Sequence, residues 1–200
     1  MAENETVFDL APFLTGGADA MPEEEEVLAT CKAMSEYIHR TGILVVRDPR
    51  VSSGDNDSFL DLMQRYYSQP EEVLMEDARP EIFYQVGVTP EKIETAVCAS
   101  DTGCMEAMEA MEPSNRPLRP TGPDPKWRFF WRIGDRPEAD QTAFAELNAP
   151  PVVPRAFPEW PETMEGWGHK ILGAAQTVAE MLALGFGEGK KRYLLYSPWI

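Results

Sequence analysis

The chain has 200 residues, with 18 Lys plus Arg against 34 Asp plus Glu and a formal net charge of −16. That charge opposes binding to nucleic acid or to anionic membrane surfaces, since both would repel it. Hydrophobic content of 43% with five Trp, nine Phe and six Tyr provides for a real core, yet no apolar run reaches the ~18 residues a bilayer demands.

The acidic start, Met1-Ala2-Glu3-Asn4-Glu5, lacks the basic-then-apolar order of a secretory leader. Three cysteines at loose spacing (Cys31, Cys98, Cys104) argue against a disulfide framework and for a reducing compartment, with the cytoplasm as the expected location.

Val7–Leu10 reads as a short apolar strand. Pro22 suits a first helical turn, and the carboxylates of Glu23–Glu26 lie where the helix dipole is positive. Val27, Cys31, Met34 and Ile38 then form one apolar stripe, and Gly42 is a natural stop. Ile43–Val46 follows as a second strand. Asp55 is expected to cap a helix whose apolar face carries Phe59, Leu62, Met63 and Tyr66. Ser68 and Glu71 have the spacing of a capping box around Pro70, which opens a short helix to about Ala78. Residues 82–84 and 86–88 read as extended.

From Thr89 to Pro125 the pattern weakens. Met105, Met108 and Met111 recur every third residue and suit a short helix, a stripe that packs more often than it ligates. Five prolines between Pro113 and Pro125 make a stiff connector. Trp127, Phe129, Trp131 and Ile133 alternate along a predicted strand and share one face. A second proline cluster precedes a long helix over 162–186, striped by Met164, Trp167, Ile171, Ala175, Val178 and Leu182. The expected divisions are 1–88, a connector over 89–160, the helical segment 161–188, and an atypical basic-then-apolar tail over 189–200.

Few motifs carry chemistry. Asp101-Thr102-Gly103 matches the aspartic-protease triplet, but no apolar strand precedes it and a Met/Glu helix follows, so it reads as a helix-capping loop. Cys98 and Cys104 lack the spacing of a zinc site. No dinucleotide fingerprint, P-loop or nucleophile elbow occurs. The run Trp127–Arg132 could stack bases, but the overall charge favours a packed strand.

The order Val7-Phe8-Asp9-Leu10-Ala11-Pro12, amphipathic helix, Thr41-Gly42-Ile43-Leu44-Val45-Val46, then Tyr66-Tyr67-Ser68-Gln69-Pro70-Glu71-Glu72, resembles the isopenicillin-N-synthase-like oxygenases. These belong to the Fe(II)- and 2-oxoglutarate-dependent dioxygenase superfamily. The proline-rich run into Trp160 and the helix after it resemble the segment preceding that family's jelly roll. One departure is Arg47-Asp48-Pro49, where the family usually continues Asn-His-Gly.

The resemblance implies an α+β fold whose N-terminal helices and few strands would flank a jelly-roll barrel, with the barrel itself mostly absent here. It also implies oxidative chemistry, in which a His-x-Asp…His triad holds Fe(II) beside 2-oxoglutarate. Neither His39-Arg40-Thr41 nor His169-Lys170-Ile171 begins such a triad. By the ~100° step of a helix, His169 lies about 160° and His39 about 120° from its apolar stripe. No Arg-x-Ser follows to grip a co-substrate. No catalytic or metal-ligating residue is therefore expected in this chain, and no cofactor, although complete family members use Fe(II) and 2-oxoglutarate. Arg79 and Tyr84 are the expected substrate-facing residues, because in the family the segment after the third helix lines the pocket mouth. The other expectation is a non-catalytic module that self-associates through the exposed face of the 161–188 helix.

Overall fold

Helices carry most of the structure, and the strands are three residues long. The computed structural model describes residues 6–14, 25–135, 143–144 and 148–187. Pro22 and the 189–200 tail lie outside the described residues. Strand β1 (Val7–Asp9) leads into a one-turn helix α1 (Ala11–Leu14), where the Asp9 carboxylate accepts the Ala11 N–H at 2.9 Å. Helix α2 (Glu25–Thr41) buries Val27, Cys31 and Met34 of the predicted stripe, together with Ser35, while Ile38, its fourth member, is half-buried. Gly42 ends it as expected: its φ is +75° and its N–H reaches the Ile38 carbonyl at 2.8 Å, a closure that favours glycine.

Strand β2 (Val45–Arg47) pairs parallel with β1, Val7 opposite Val45. Helix α3 (Ser53–Tyr67) is capped differently from the expectation. Ser52 is the cap, its hydroxyl accepting the Asp55 N–H at 3.1 Å while Asp55 accepts the Ser52 N–H at 2.9 Å. Asp55 is thus the reciprocal member of a capping box. The predicted Ser68–Glu71 box does not form. Ser68 still belongs to the last turn of α3, and both its N–H and its hydroxyl bond to the Gln64 carbonyl, at 3.0 and 2.6 Å.

Helix α4 (Glu71–Leu74) tightens into a 3-10 turn over Met75–Asp77, reaching the predicted end at Ala78. Residues 82–84 are not extended. A 3-10 turn at Pro80–Ile82 is followed by Phe83 and Tyr84 in the left-handed region, φ 54° and 57°. Strand β3 (Gly87–Thr89) pairs antiparallel with β4 (Arg128–Phe130), and between them lies α5 (Thr102–Glu109). The last element, α6, runs Trp160–Gly185. The fold is α+β, with two small two-stranded sheets and no closed barrel among the described residues.

The chain divides into two units, Met1–Phe59 with Gly166–Ile200, and Leu60–Glu165. In the first, Phe8, Leu10, Val27, Cys31, Met34 and Met181 form the core. Helices α2 and α6 touch backbone to backbone there. A Cβ at Gly185 would lie 2.2 Å from the Cys31 carbonyl oxygen, and the Ser35 hydroxyl donates to both Cys31 O (3.0 Å) and Leu182 O (3.2 Å).

In the second unit Trp160 is fully buried, with Tyr66 at 4.8 Å and Phe129 at 4.6 Å between ring centroids. Trp127, Phe129 and Trp131 all pack on this cluster, although only Arg128–Phe130 of the predicted strand pairs and Ile133, the fourth residue of the alternation, is not among those packed there. Trp131 Nε1 finds the Glu165 carboxylate at 2.9 Å.

The cysteine expectation is corrected. Cys98 and Cys104 form a disulfide, their Cα atoms 5.0 Å apart. The 3-10 turn Val97–Ala99 and the Asp101 cap, whose carboxylate accepts the Cys104 N–H at 2.7 Å, fold the short loop back on itself. Cys31 stays free and buried, and burial pushes its thiol above the usual range.

Candidate functional site

Both histidines lie on exposed helix faces, where the helical step placed them. Glu36, one turn before His39 on α2, pairs at 4.0 Å with Lys32. Among the described residues no group of three His, Cys, Asp or Glu could hold a metal ion. The described residues therefore do not fit an Fe(II) centre of the two-histidine, one-carboxylate kind.

The departure at Arg47-Asp48-Pro49 has a structural explanation. Asp48 is buried, and its carboxylate accepts from Arg50 Nε at 2.9 Å and Nη2 at 2.5 Å and from the Arg50 N–H at 2.9 Å. The hydrogen bonds from Arg50 hold the Asp48 carboxyl below its usual range against the opposing effect of burial. Arg50 Nη2 also donates to Thr177 on α6 at 3.1 Å, and Thr177 donates to the Gly173 carbonyl at 2.9 Å. This is a clamp at the exit of β2 that ties Asp48 and Arg50 to α6.

The more suggestive ionisable cluster is in the second unit. Tyr66, fully buried, donates its hydroxyl to Asp77 Oδ2 at 2.9 Å. Burial pushes the Asp77 carboxyl above its usual range, opposed by the Tyr66 hydrogen bond and by the charge of Arg79. Burial and the Asp77 charge raise the Tyr66 phenol as well, and burial alone raises Tyr67 to about 12. Asp77 faces a cleft of about 260 Å³, lined also by Gln69, Glu76 and Arg155.

The structure places the two predicted residues, Arg79 and Tyr84, in one turn beside this cluster. The Tyr84 N–H donates to the Arg79 carbonyl at 2.9 Å. Arg79 Nη1 donates to the Glu76 and Ala78 carbonyls at 2.9 and 2.7 Å, closing the end of the preceding 3-10 turn. Tyr84 packs on the core while Phe83 projects, 84% exposed. Two consecutive left-handed aromatic residues cost about 1–3 kcal/mol each and persist only where surrounding structure imposes them. Asp77 and Tyr66 were not singled out as a pair from the sequence, because only the fold-back of the 75–77 turn brings them together.

Asp77 also sets a pH dependence. A carboxyl raised in the folded state contributes stability that is fully present below its unfolded pKa, ~3.9, and is lost as pH rises through the folded value. Asp77→Asn keeps an acceptor for Tyr66 and removes the titration. Melting curves from pH 4 to 8 should therefore show the variant gaining on the parent as pH rises; a constant difference would show that Asp77 does not titrate with folding.

No protein-family model matches this chain, and no curated protein matches it. Among solved structures it is similar to a protein from Caulobacter crescentus provisionally described as a 2OG-Fe(II) oxygenase family protein. The TM-score is 0.59 at 14% identity, over 94% of this chain and 50% of that one. The likeness is one of fold, and this chain spans half the length of the protein it matches.

Proposed function

We propose that this chain is the barrel-flanking part of an isopenicillin-N-synthase-like Fe(II)/2-oxoglutarate oxygenase and does not turn over by itself. The observation that supports the reading is the fold likeness, which takes in 94% of this chain but half of a 2OG-Fe(II) oxygenase family protein. The placement of His39 and His169 on exposed faces agrees with it, as does the poor fit of the described residues to an iron centre. Arg79 and Tyr84 are the residues assigned to face substrate when the rest of such an enzyme is present. No helix among the described residues is long and apolar enough to cross a membrane, and the Cys98–Cys104 disulfide removes the ground on which a reducing, cytoplasmic setting was expected.

A second reading, self-association without catalysis, is favoured by one feature. Ile171 and Leu172 on α6 are 45% and 43% exposed, beside exposed Ala175. Unpartnered apolar surface of this kind invites a second copy.

One preparation tests both. Anaerobic addition of Fe(II) and 2-oxoglutarate should give no visible charge-transfer band, and such a band would overturn the non-catalytic reading. Light scattering on the same sample should report a dimer or larger species if α6 associates, and a monomer would sink that reading. Tyr84→Phe, which keeps the ring that packs on the core, should melt with the parent, whereas Arg79→Ala should melt lower because it loses the bonds to the Glu76 and Ala78 carbonyls; a lowered melt for Tyr84→Phe would make its hydroxyl structural.

A further inference from the structure

Residues 105–119 enclose a cleft of about 370 Å³, within the size range of small-molecule sites. Helix α5 forms one wall with Met105 and Met108, and the proline-rich segment opposite contributes Leu118, 96% exposed. The wall is held in place. Asp101 and the Cys98–Cys104 disulfide fix the start of α5, and Arg116 Nη2 ties its end by donating to Glu109 O at 2.6 Å and Met111 O at 3.1 Å. Arg119 Nη2 rests 3.1 Å from Met105 Sδ.

Neither guanidinium meets a carboxylate among the described residues, whereas Arg47, Arg50, Arg65 and Arg128 each do. Arg79 and Arg132 likewise bond to carbonyl oxygens rather than to acids; what sets Arg116 and Arg119 apart is that both line one methionine-walled cleft. Each guanidinium keeps N–H donors beyond those bonds, and a guanidinium can pair bidentately with a carboxylate. The thioether walls adapt to apolar bodies of varied shape. Glu109 also lines the cleft and repels a second negative charge.

We propose that this cleft binds an organic monoanion with an apolar body, of the class of medium-chain monocarboxylates. Arg116 and Arg119 hold the carboxylate, while Met105, Met108 and Leu118 cover the chain. 2-Oxoglutarate, a dianion without an apolar body, does not compete. The site is therefore independent of the oxygenase reading.

The test is calorimetric titration of the full chain with octanoate, using 1-octanol as the uncharged counterpart. Octanoate should bind saturably at one per chain. 1-Octanol should bind about 10-fold or more weaker, the loss expected when a charge-assisted hydrogen bond is removed. The exposed double variant Arg116→Gln/Arg119→Gln should lose octanoate affinity by the same factor with an unchanged circular dichroism spectrum. No saturable binding at millimolar octanoate, or equal affinity for octanoate and 1-octanol, would overturn the proposal. The octanol comparison uses the parent protein, so it holds even if the variant misfolds.

Discussion

Gly87→Ala should destabilise the protein by about 2–5 kcal/mol, combining a left-handed backbone penalty with overpacking. Gly87 has φ +74°, and a Cβ there would stand 2.2 Å from the Asp77 carbonyl oxygen and 2.9 Å from a Val152 methyl. The first contact is with backbone, which cannot rotate away. Gly87 starts β3, so relief would have to come from shifting the strand or the 75–77 turn that carries the Tyr66–Asp77 bond. Gly42 provides the control: its φ is +75°, and nothing lies within 4 Å of an added Cβ. Gly42→Ala should cost only the backbone penalty, about 1–2 kcal/mol. Thermal melts of both variants separate the two contributions. For a chain of this size each kcal/mol lowers the melting temperature by roughly 2–4 °C. Equal melts for the two variants would refute the close approach at Gly87.

Gly185→Ala should also destabilise, by about 1–2 kcal/mol net. Its added Cβ would fall 2.1 Å from Ser35 Oγ and 2.7 Å from the Cys31 carbonyl carbon. Ser35 could turn aside, but only by giving up its two hydrogen bonds, and the carbonyl cannot move without α2. Overpacking of this kind typically costs about 1–3 kcal/mol and occasionally more, set against about 1 kcal/mol of helix propensity gained by replacing glycine. Gly166 lies in the same helix with nothing within 4 Å of an added Cβ. Gly166→Ala should accordingly raise stability by about 0.5–1 kcal/mol. Opposite signs for one substitution in one helix, read by urea unfolding, would establish the α2–α6 crossing. Two stabilising results would disprove it.

The elements that could be read in advance are those whose signal is local. The stripe Val27, Cys31 and Met34 and the stop at Gly42 need only a helical period and a left-handed residue. The alternation Trp127, Phe129 and Trp131 needs only a pleat. The stripe along the long helix was read less well. Val178 and Leu182 face the first unit's core, but Ile171 is exposed, while Met181, off the stripe, is buried. Apolarity alone does not say which turns of a long helix meet a neighbour.

The features that escaped the sequence depend on chain returns. Phe83 and Tyr84 are held left-handed by the turn around them, against their own preference. The Cys98–Cys104 pairing depends on a capped turn over a short loop. The Tyr66–Asp77 bond and the acid-free pair Arg116 and Arg119 are arrangements among distant or irregular segments, for which no periodicity exists. Arg79 and Tyr84 were picked out by family resemblance, and their shared turn emerged only in three dimensions.

The Cys98–Cys104 link has a consequence for a chain that has been nicked. A protease that cuts between Ala99 and Gly103 severs the backbone inside the bridged loop, so neither product leaves. The nicked molecule would migrate as one species in a non-reducing gel and part into two pieces once a thiol is added. Integrity of the polypeptide and integrity of the covalent molecule are different properties at this one place in the chain.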